Sequence, residues 1–324
     1  MNSLNQVLEY IKDNNQFILM GHLNPDGDCI GSLLALKRYL DSLNKKSYIL
    51  LAEDPGHKYD ILNIEPSEYV LFENIVEEEW HNAICITLDS GDFDRLGDGQ
   101  EIAEKRFIIN IDHHIDNPGY GDINYINSNK AAVGEIIYDL LKIDGFKLDK
   151  EIGTAIGMAI IADTGGLRYQ NTTADIFRIM SQLTEIGVDI YRLNKAIFGS
   201  YEYSSVKLKG MALSTLTLHE NGKIAYLRVE KEMYNQVDAD FKESSGLVNY
   251  ARDIRGVEVG IVFTEVSNNE TRVGFRSNNY CPVNEIAAFF DGGGHPRAAG
   301  CTIYKDITEA QKMVLNKVEE YVTN

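Results

Sequence analysis

Five stretches of this 324-residue chain carry aspartate or histidine just past an apolar run. They carry His22, Asp26 and Asp28 in GHLNPDGDCIGS, Asp89 in LDSGD, Asp112, His113 and His114 in IDHH, Asp163 in AIIADTGG, and His295 in GGGHPRAAG. Each stretch alone has an ordinary explanation, because an aspartate beside glycine commonly caps a helix or forms a turn. Their repeated placement after apolar runs predicts that most of them share one site.

The chemistry that suits these side chains is the binding of divalent metal ions. Carboxylates that cluster away from water repel one another, and a bound cation removes that penalty. Carboxylate and imidazole donors suit Mn²⁺, Mg²⁺, Fe²⁺ or Zn²⁺, and the absence of cysteine ligands disfavours a structural zinc site. The number of donors predicts two ions about 3.5–4 Å apart that share one carboxylate. Such a pair activates water and stabilises an in-line displacement at phosphorus.

The elements that must position these residues alternate in the first half of the chain. Apolar runs of strand length are FILM (17–20), SYILL (47–51), AICITL (83–88) and RFIINI (106–111). Segments with helical spacing are SLLALKRYLDSL (32–43), AAVGEIIYDLLKI (131–143) and EIGTAIGMAIIA (151–162). This alternation predicts an α/β fold with a mostly parallel sheet covered on both faces. In such sheets, ligands bind beyond the carboxyl ends of the strands. The aspartates and histidines of the first half lie at those ends in the sequence.

The second half of the chain changes pattern twice. From Thr172 to Leu213 the spacing is helical without strands, and near Leu216 a second alternation begins. There Asn221 and Gly222 stand between two strand-like arms, which predicts a β-hairpin. A linker in the helical region would act either as a hinge or as a rigid spacer. We predict three parts, which are a metal-binding domain at 1–190, a helical linker at 191–214 and a smaller α/β domain at 215–324.

The composition is typical of a globular protein from a reducing compartment. Hydrophobic residues make up 44% and charged residues 25% of the chain. The polar N-terminus is unlike a signal peptide, and no apolar run is long enough to span a bilayer, so we expect a cytoplasmic protein without a membrane partner. The net charge of -18 argues against long duplex nucleic acid as a partner, although bound cations can still attract a small anion. The four cysteines form no CxxC pair, which predicts buried, reduced thiols at Cys29, Cys85, Cys281 and Cys301.

Taken in order, these motifs resemble those of a known family. GHLNPDGDCIGS, LDSGD, IDHH and ADTGG resemble the four motifs of the DHH phosphoesterase superfamily. GFRSN followed by GGGHPRAAG resembles the signature of the DHHA1 domain, and the match runs from about residue 15 to 305. The resemblance implies an N-terminal parallel-sheet DHH domain at 1–190 and a smaller C-terminal α/β DHHA1 domain at 215–324.

The resemblance also implies a site with two Mn²⁺ ions, for which Mg²⁺ or another divalent ion can substitute. The implied ligands are His22, Asp26 and Asp89 for one ion and Asp28, Asp89, His113 and Asp163 for the other, with Asp89 as the bridge. His114 would contact the scissile phosphate or its leaving oxygen, and Asp112 would orient a histidine. Cys29 stands where relatives often carry a small residue such as alanine.

The DHHA1 domain is implied to bind the substrate. The implied residues are Arg276, Ser277, Gly292, Gly293, Gly294 and His295. Arg276 would bind a substrate phosphate, for which a guanidinium is well shaped. The glycines would let backbone N–H groups approach an anion, and a plain flexible turn is the alternative interpretation of them. Arg255 and Arg297 are weaker candidates for phosphate binding.

Short two-domain members of this family hydrolyse short oligoribonucleotides (nanoRNA) to mononucleotides and convert 3′-phosphoadenosine 5′-phosphate to AMP. The resemblance therefore implies that activity, a short RNA or nucleotide as partner, and a homodimer. Close relatives cleave cyclic di-AMP or linear pApA, and the sequence leaves this alternative open. A manganese pyrophosphatase, an exopolyphosphatase and a non-catalytic nucleotide-binding module are the further alternatives, and the complete set of ligand residues disfavours the last.

Overall fold

The computed structural model describes residues 2–75, 80–219, 222–244 and 246–322. The chain divides into two units, Met1–Ser200 and Tyr201–Asn324, each with its own sheet and its own apolar cores. The predicted linker, residues 191–214, spans the boundary between these two units. Its role as a linker remains a prediction.

One parallel sheet organises the described residues of the first unit. Its strands are β1 (Gln16–Met20), β2 (Lys46–Leu51), β3 (Tyr69–Leu71), β4 (Ile84–Leu88), β5 (Ile108–Asp112) and β6 (Ile123–Ile126), in the spatial order β3-β2-β1-β4-β5-β6. Because β1, β4 and β5 are neighbours, the segments that follow them meet at one edge of the sheet. That edge is where the sequence places His22, Asp89 and Asp112.

The four predicted strands are confirmed as β1, β2, β4 and β5, with ends that shift by at most two residues. Along β1, Phe17 and Leu19 belong to one apolar cluster and Ile18 and Met20 to another, so both faces of the sheet are covered as predicted. The sequence did not predict β3 and β6. Both are short edge strands in which most residues are half-buried, so they lack the continuous apolar run of a central strand.

Helices flank this sheet. They are α1 (Leu4–Asp13), α2 (Gly27–Ser42), α3 (Gly99–Ala103), α4 (Val133–Ile143), α5 (Lys150–Asp163), α6 (Ala174–Glu185) and α7 (Ile190–Phe198). The predicted helices at 131–143 and 151–162 are confirmed as α4 and α5. The helix predicted at 32–43 begins earlier, at Gly27, because Asp26 caps it by accepting hydrogen bonds from two backbone N–H groups. The earlier start places Asp28 in the first turn of α2.

The second unit has a mixed sheet. Its strands are β7 (Thr217–Leu218), β8 (Ile224–Val229), β9 (Val259–Ser267), β10 (Glu270–Ser277), β11 (Gly293–His295) and β12 (Ala298–Ile303), in the order β11-β12-β10-β9-β8-β7. Only β8 and β9 are parallel neighbours among these strands. The antiparallel pairing of β7 with β8 confirms the predicted arms of the hairpin, whereas Asn221 of its turn lies outside the described residues.

Helices pack on both faces of this second sheet. They are α8 (Tyr203–Ser214), α9 (Lys231–Val237), α10 (Val248–Arg252), α11 (Val283–Phe289) and α12 (Ile307–Val322). Residues of α11 and α12 form an apolar core on one face, and residues of α8, α9 and α10 form another core against β8 and β9. This arrangement confirms a second, smaller α/β unit.

The glycine-rich stretch GGGHPRAAG is not a flexible turn. Residues 293–295 form β11 and residues 298–303 form β12, and these two strands pair in antiparallel register. The alternative of a plain flexible turn is therefore wrong, because glycines can occupy strands where another backbone or a ligand comes close.

The four cysteines are buried and none forms a disulfide, as predicted. Among the helices that the structure describes, none combines the length and the apolar character needed to cross a bilayer.

Candidate metal centre

His22 follows β1 and turns one ring nitrogen toward the acidic residues. Its Nδ1 lies 2.7 Å from the carbonyl oxygen of Leu23, so the neutral ring donates from Nδ1 and keeps Nε2 as an acceptor. Nε2 lies 3.6 Å from Oδ2 of Asp89. Burial lowers the pKa of His22, which favours the neutral form that binds metal ions. A metal-binding histidine usually donates a hydrogen bond from its other ring nitrogen to a backbone carbonyl or a carboxylate, which orients the ring.

Asp28, in the first turn of α2, is fully buried. Its carboxylate lies at the N-terminus of α4. Its Oδ2 accepts from the N–H of Val133 at 2.7 Å, and its Oδ1 accepts from the N–H of Gly134 and the hydroxyl of Ser32, both at 2.9 Å. The positive end of a helix dipole favours a carboxylate here. Burial nevertheless raises the pKa of Asp28 to about 6, and the charge of Asp26 adds to this effect. The carboxylate is held in place but still lacks a full counter-charge.

Asp89 lies at the centre of the cluster, directly after the central strand β4. Its backbone is left-handed, with φ at 56°. Its carboxylate oxygens lie 3.6 Å from Nε2 of His22, 3.6 Å from Nε2 of His113 and 3.7 Å from Nδ1 of His114. Burial and, after it, the neighbouring carboxylates raise the pKa of Asp89 well above its usual range. Aspartate adopts this left-handed conformation more readily than most residues, and here it turns the chain at the end of the strand where the carboxylate lies.

Asp112 ends β5 and holds His114. Its Oδ1 accepts from Nδ1 of His114 and from the backbone N–H of His113, each at 2.8 Å, and its Oδ2 accepts from the side-chain amide of Asn117 at 2.6 Å. Burial alone would raise the pKa of Asp112, but these hydrogen bonds lower it. Burial alone would likewise lower the pKa of His114, but the hydrogen bond to Asp112 raises it. Asp112 therefore orients His114 and favours its protonated form.

Asp163 ends α5 and meets His113. Its Oδ2 lies 3.2 Å from Nε2 of His113, which also lies 3.9 Å from Oδ2 of Asp28. The other ring nitrogen of His113, Nδ1, lies 3.2 Å from the carbonyl oxygen of Lys130. Burial, followed by the charges of Asp28 and Asp26, raises the pKa of Asp163 to about 9. His113 thus repeats the arrangement of His22, with a carbonyl on one nitrogen and carboxylates near the other.

These side chains converge in three overlapping groups whose donor atoms lie within 4.8 Å of one another. The groups are Asp28, His113 and Asp163; His22, Cys29 and Asp89; and Asp89, Asp112, His113 and His114. Within the described part of the chain, the ion-pair partners of Asp28, Asp89 and Asp163 are histidines and not lysines or arginines. Buried carboxylates that lie next to imidazoles, and that have no lysine or arginine as ion-pair partner among the described residues, are suited to bind a divalent metal ion.

The structure departs from the predicted ligand set at Asp26, which was predicted, and at Cys29, which was not. Asp26 belongs to none of the three groups, because its exposed side chain caps α2, although its charge raises the pKa of Asp28, Asp89 and Asp163. Cys29 was not predicted as a donor, yet its thiol lies beside His22 and Asp89. Burial raises the pKa of Cys29 well above its usual range. Its position next to Asp28 in the first turn of α2 was the available signal.

The predicted residues of the second unit do not form one tight group. Arg276 and Gly292 line a cavity of about 730 Å³. A Cβ atom added to Gly292 would lie 2.3 Å from the carbonyl oxygen of Gly300, and one added to Gly294 would lie 2.5 Å from that of Ala298, so both glycines are needed for strand pairing. A Cβ added to Gly293 would meet no atom within 4 Å. Of the three glycines, Gly293 alone faces open space among the described residues.

Ser277 and His295 are not among the residues that line this cavity. The hydroxyl of Ser277 is buried and donates to the carbonyl oxygen of Cys281 at 2.7 Å. Arg297 donates to the same carbonyl at 3.0 Å. His295 is exposed on β11. Ser277 and Arg297 therefore hold the segment that follows β10 in place through the carbonyl group of Cys281.

Glu258 is a buried acid that sequence reasoning missed. Its carboxylate accepts from the backbone N–H groups of Asn279, Tyr280 and Cys281 and from the side-chain amide of Asn279. These hydrogen bonds lower its pKa even though burial acts in the opposite direction. Glu258 thereby anchors the segment that follows Arg276. A charged residue inside the apolar run GVEVGIVF was the signal.

Comparison with known proteins agrees with this architecture. Residues 16–161 match the DHH family, N-terminal domain, and residues 221–324 match the DHHA1 domain. The chain belongs to the DHH family of phosphoesterases and carries a DHHA1 domain after the DHH domain.

Curated relatives resemble the chain over most of its length. The bifunctional oligoribonuclease and PAP phosphatase NrnA of Thermus thermophilus is 32% identical over 304 residues, which is 93% of this chain and 89% of that protein. The probable bifunctional oligoribonuclease and PAP phosphatase NrnA of Streptococcus mutans is 29% identical and covers 94% of each chain. The crystal structure of an exopolyphosphatase-related protein from Bacteroides fragilis superposes with a TM-score of 0.91 at 25% identity, over 98% of this chain and 96% of that one.

Proposed function

We propose that this protein hydrolyses short oligoribonucleotides to mononucleotides and 3′-phosphoadenosine 5′-phosphate to AMP, with a divalent metal ion as cofactor. The observation that carries the proposal is the near-complete coverage of relatives named for both activities. The convergence of buried aspartates and histidines at the edge of a parallel sheet supports it independently. These residues are the donor types that hydrolysis at phosphorus needs around a metal site.

We propose two Mn²⁺ ions in this cluster, with Mg²⁺ as a substitute. The proposed ligands are His22, Asp26 and Asp89 for one ion and Asp28, Asp89, His113 and Asp163 for the other. Bound there, the ions would lower the pKa of a water molecule and offset the charge of the phosphate. Asp26 is the least supported ligand, because one of its oxygens accepts two hydrogen bonds as a helix cap. The other oxygen would have to serve as donor.

The protein side chains have separate tasks in this proposal. Asp28 is held rigidly by the N-terminus of α4, and His22 and His113 are each oriented by a backbone carbonyl. His114 is the proposed proton donor to the leaving oxygen, because the hydrogen bond from its Nδ1 to Asp112 stabilises the protonated ring. In the second unit, Arg276 is proposed to bind a phosphate of the substrate, since it lines an open cavity.

A panel of substrates tests the proposal. The purified protein is dialysed against a chelator and assayed with pApA, a five-nucleotide RNA, 3′-phosphoadenosine 5′-phosphate, cyclic di-AMP and pyrophosphate, with and without Mn²⁺. We expect hydrolysis of the short RNA and of 3′-phosphoadenosine 5′-phosphate only when the metal is restored. Hydrolysis confined to cyclic di-AMP or pApA would favour the messenger phosphodiesterase instead. Release of phosphate from pyrophosphate alone would favour a pyrophosphatase. No turnover with any substrate would favour a non-catalytic nucleotide-binding module.

The assembly and location are also part of the proposal. We propose a homodimer, which the mass of the purified protein in light scattering tests directly. The buried, unpaired cysteines and the nucleotide substrates support a location in the cytoplasm. Fractionation of the host cell would check it.

A further inference from the structure

One short segment of the first unit, residues 130–134, lies against several of the proposed metal ligands. The carbonyl oxygen of Lys130 lies 3.2 Å from Nδ1 of His113. The backbone N–H groups of the last two residues of the segment donate to the carboxylate of Asp28, at 2.7 and 2.9 Å. The segment therefore orients two proposed ligands at once, one through a carbonyl group and one through two N–H groups.

A third proposed ligand is connected to the same segment through Asn171. The side-chain amide nitrogen of Asn171 donates to the carbonyl oxygen of Ala131 at 3.2 Å and to the carbonyl oxygen of Asp163 at 3.1 Å. An amide nitrogen carries two hydrogens, so it can make both bonds together. Directly or through Asn171, the segment is thus bonded to every member of one group of converging donors, which are Asp28, His113 and Asp163.

The buried carboxylate of Glu135 holds this segment in place. Its Oε2 accepts a hydrogen bond from the backbone N–H of Ala131 at 2.8 Å, and its Oε1 accepts one from Nζ of Lys130, also at 2.8 Å. Ala132, the residue before α4, has no side-chain group that could cap the helix. Glu135 is the third residue of α4, and a glutamate at that position can reach back to N–H groups before the helix. Here that bond fixes the backbone that faces the metal ligands.

Lys130 has a second carboxylate partner, Asp139, which lies four residues further along α4 than Glu135. Nζ of Lys130 lies 2.6 Å from Oδ2 of Asp139, whose side chain is 31% exposed, whereas the side chain of Glu135 is 3% exposed. Among the hydrogen bonds of the described residues, Asp139 makes none to the backbone of the segment. Removal of the Glu135 carboxylate would therefore leave a buried N–H of Ala131 without its acceptor, which removal of Asp139 would not do.

We propose that Glu135 is a positioning residue for one of the two metal ions and not for the other. The ion concerned is the one whose proposed ligands include Asp28, His113 and Asp163. Glu135 acts on it through the backbone of residues 130–134, without touching the metal. The other ion depends on His22, which is oriented by the carbonyl oxygen of Leu23 instead. This inference rests on the proposed function, because it concerns the metal site of that activity.

Binding of Mn²⁺ to the full-length protein, measured by calorimetry after metal has been removed with a chelator, tests the inference. We expect Glu135→Gln to weaken the binding of one ion by about 10- to 100-fold, the usual effect of losing a residue that supports a metal ligand. The other ion should bind within about twofold of its original affinity, because sites that share no partner behave independently. Asp139→Asn is the matched control, since it makes the same change of group beside the same lysine. Both ions should bind to it within about twofold of their original affinities, as expected for a partly exposed ion pair.

Two ligand variants identify which ion is affected. His22→Ala removes a proposed ligand of one ion, and His113→Ala removes a proposed ligand of the other. When Glu135→Gln is added to His22→Ala, the remaining binding should weaken by about 10- to 100-fold. When it is added to His113→Ala, the remaining binding should change by less than about twofold. A merely structural role of Glu135 would weaken binding in both backgrounds alike.

Asn171→Ala keeps the test decisive where Glu135→Gln yields too little folded protein, because the side chain of Asn171 is exposed. It should weaken the same ion by about two- to tenfold, as expected for the loss of ordinary hydrogen bonds. Unchanged Mn²⁺ binding in this variant would then overturn the inference.

The outcomes separate this inference from the proposed function. Unchanged binding in Glu135→Gln, equal weakening of both ions, or the same loss in Asp139→Asn would overturn the positioning role. Binding of fewer than two Mn²⁺ ions by the unaltered protein would also overturn it, and binding of none would contradict the proposed metal site as well. Selective loss of one ion, in a protein that hydrolyses no nucleotide of the substrate panel, would support the positioning role and contradict the proposed activity.

Discussion

The metal centre of the first unit and the glycine-rich strand pair of the second, β11 and β12, are built in opposite ways. The metal centre gathers seven buried or half-buried acids and imidazoles, and burial, followed by repulsion among the carboxylates, raises the pKa of Asp28, Asp89 and Asp163, which a bound divalent cation would offset. The strand pair depends on missing side chains, because a Cβ added to Gly292 or Gly294 would collide with the backbone of the opposite strand. The first kind of site declares itself through residue chemistry. The role of the glycines can be recognised only from strand register, because glycine is equally common in turns.

The comparison predicts that the two regions fail separately. Asp89→Asn should lower kcat with a short RNA on the order of 10³-fold, because it removes a central charge from the metal cluster. AMP affinity should stay unchanged in calorimetry, since Arg276, the proposed phosphate-binding residue, belongs to the second unit. The exposed Asp98, whose side chain makes no capping hydrogen bond, provides the control Asp98→Asn with the same change of charge and full activity. Parallel loss of kcat and AMP affinity would mean that the two regions are not independent.

Within the metal centre, Asp112→Asn should lower kcat by about 10- to 100-fold, the usual effect of losing a residue that orients an active-site histidine. Asp112 raises the pKa of His114, so its removal should lower that pKa. As the proposed proton donor, His114 would act below its pKa, and the alkaline limb of the kcat profile should therefore move to lower pH. A profile of kcat against pH from 5 to 10 would measure it. An unmoved alkaline limb would argue that His114 is not the donor.

Within the second unit, Arg276→Ala should raise KM by about 10- to 100-fold and change kcat little, because it removes the proposed charge-assisted contact with a substrate phosphate. Steady-state kinetics with 3′-phosphoadenosine 5′-phosphate would separate the two constants. Arg255→Ala, in a different cavity of about 590 Å³, serves for comparison and should leave KM near that of the unaltered protein. A larger effect at Arg255 than at Arg276 would move the phosphate site to that cavity.

The smallest expected effect is on stability. Glu258→Gln should lower the free energy of unfolding by about 2 kcal/mol, because the charged acceptor of several backbone N–H groups is weakened. The folded state lowers the pKa of Glu258 from 4.5, so its contribution is present above that pH and is lost as the pH falls through the folded value. Denaturant unfolding at pH 7 and pH 3 should show a smaller acid-induced loss in the variant. Identical pH dependence in both proteins would contradict this role.

Prediction from the sequence succeeded where side-chain type carries the information. The strands of the first sheet have continuous apolar runs, and the residues after β1, β4 and β5 are acids and histidines, so their convergence followed from the rule for parallel strands. The start of α2 was placed too late because its first turn, GDCIG, contains two glycines and carries no helical periodicity. The edge strands β3 and β6 were missed because they are short and only partly buried.

By itself the sequence determined the kind of fold, the identity of the family and the residues able to bind a cation, because hydrophobic periodicity and ionisable groups are properties of single positions. Only the tertiary structure decided that Asp112 holds His114, that Cys29 lies beside the metal cluster and that Gly292 and Gly294 serve strand pairing while Gly293 faces open space. Those distinctions depend on which atoms stand opposite one another across strands and helices. A distance between residues far apart in the chain exists only after the chain has folded.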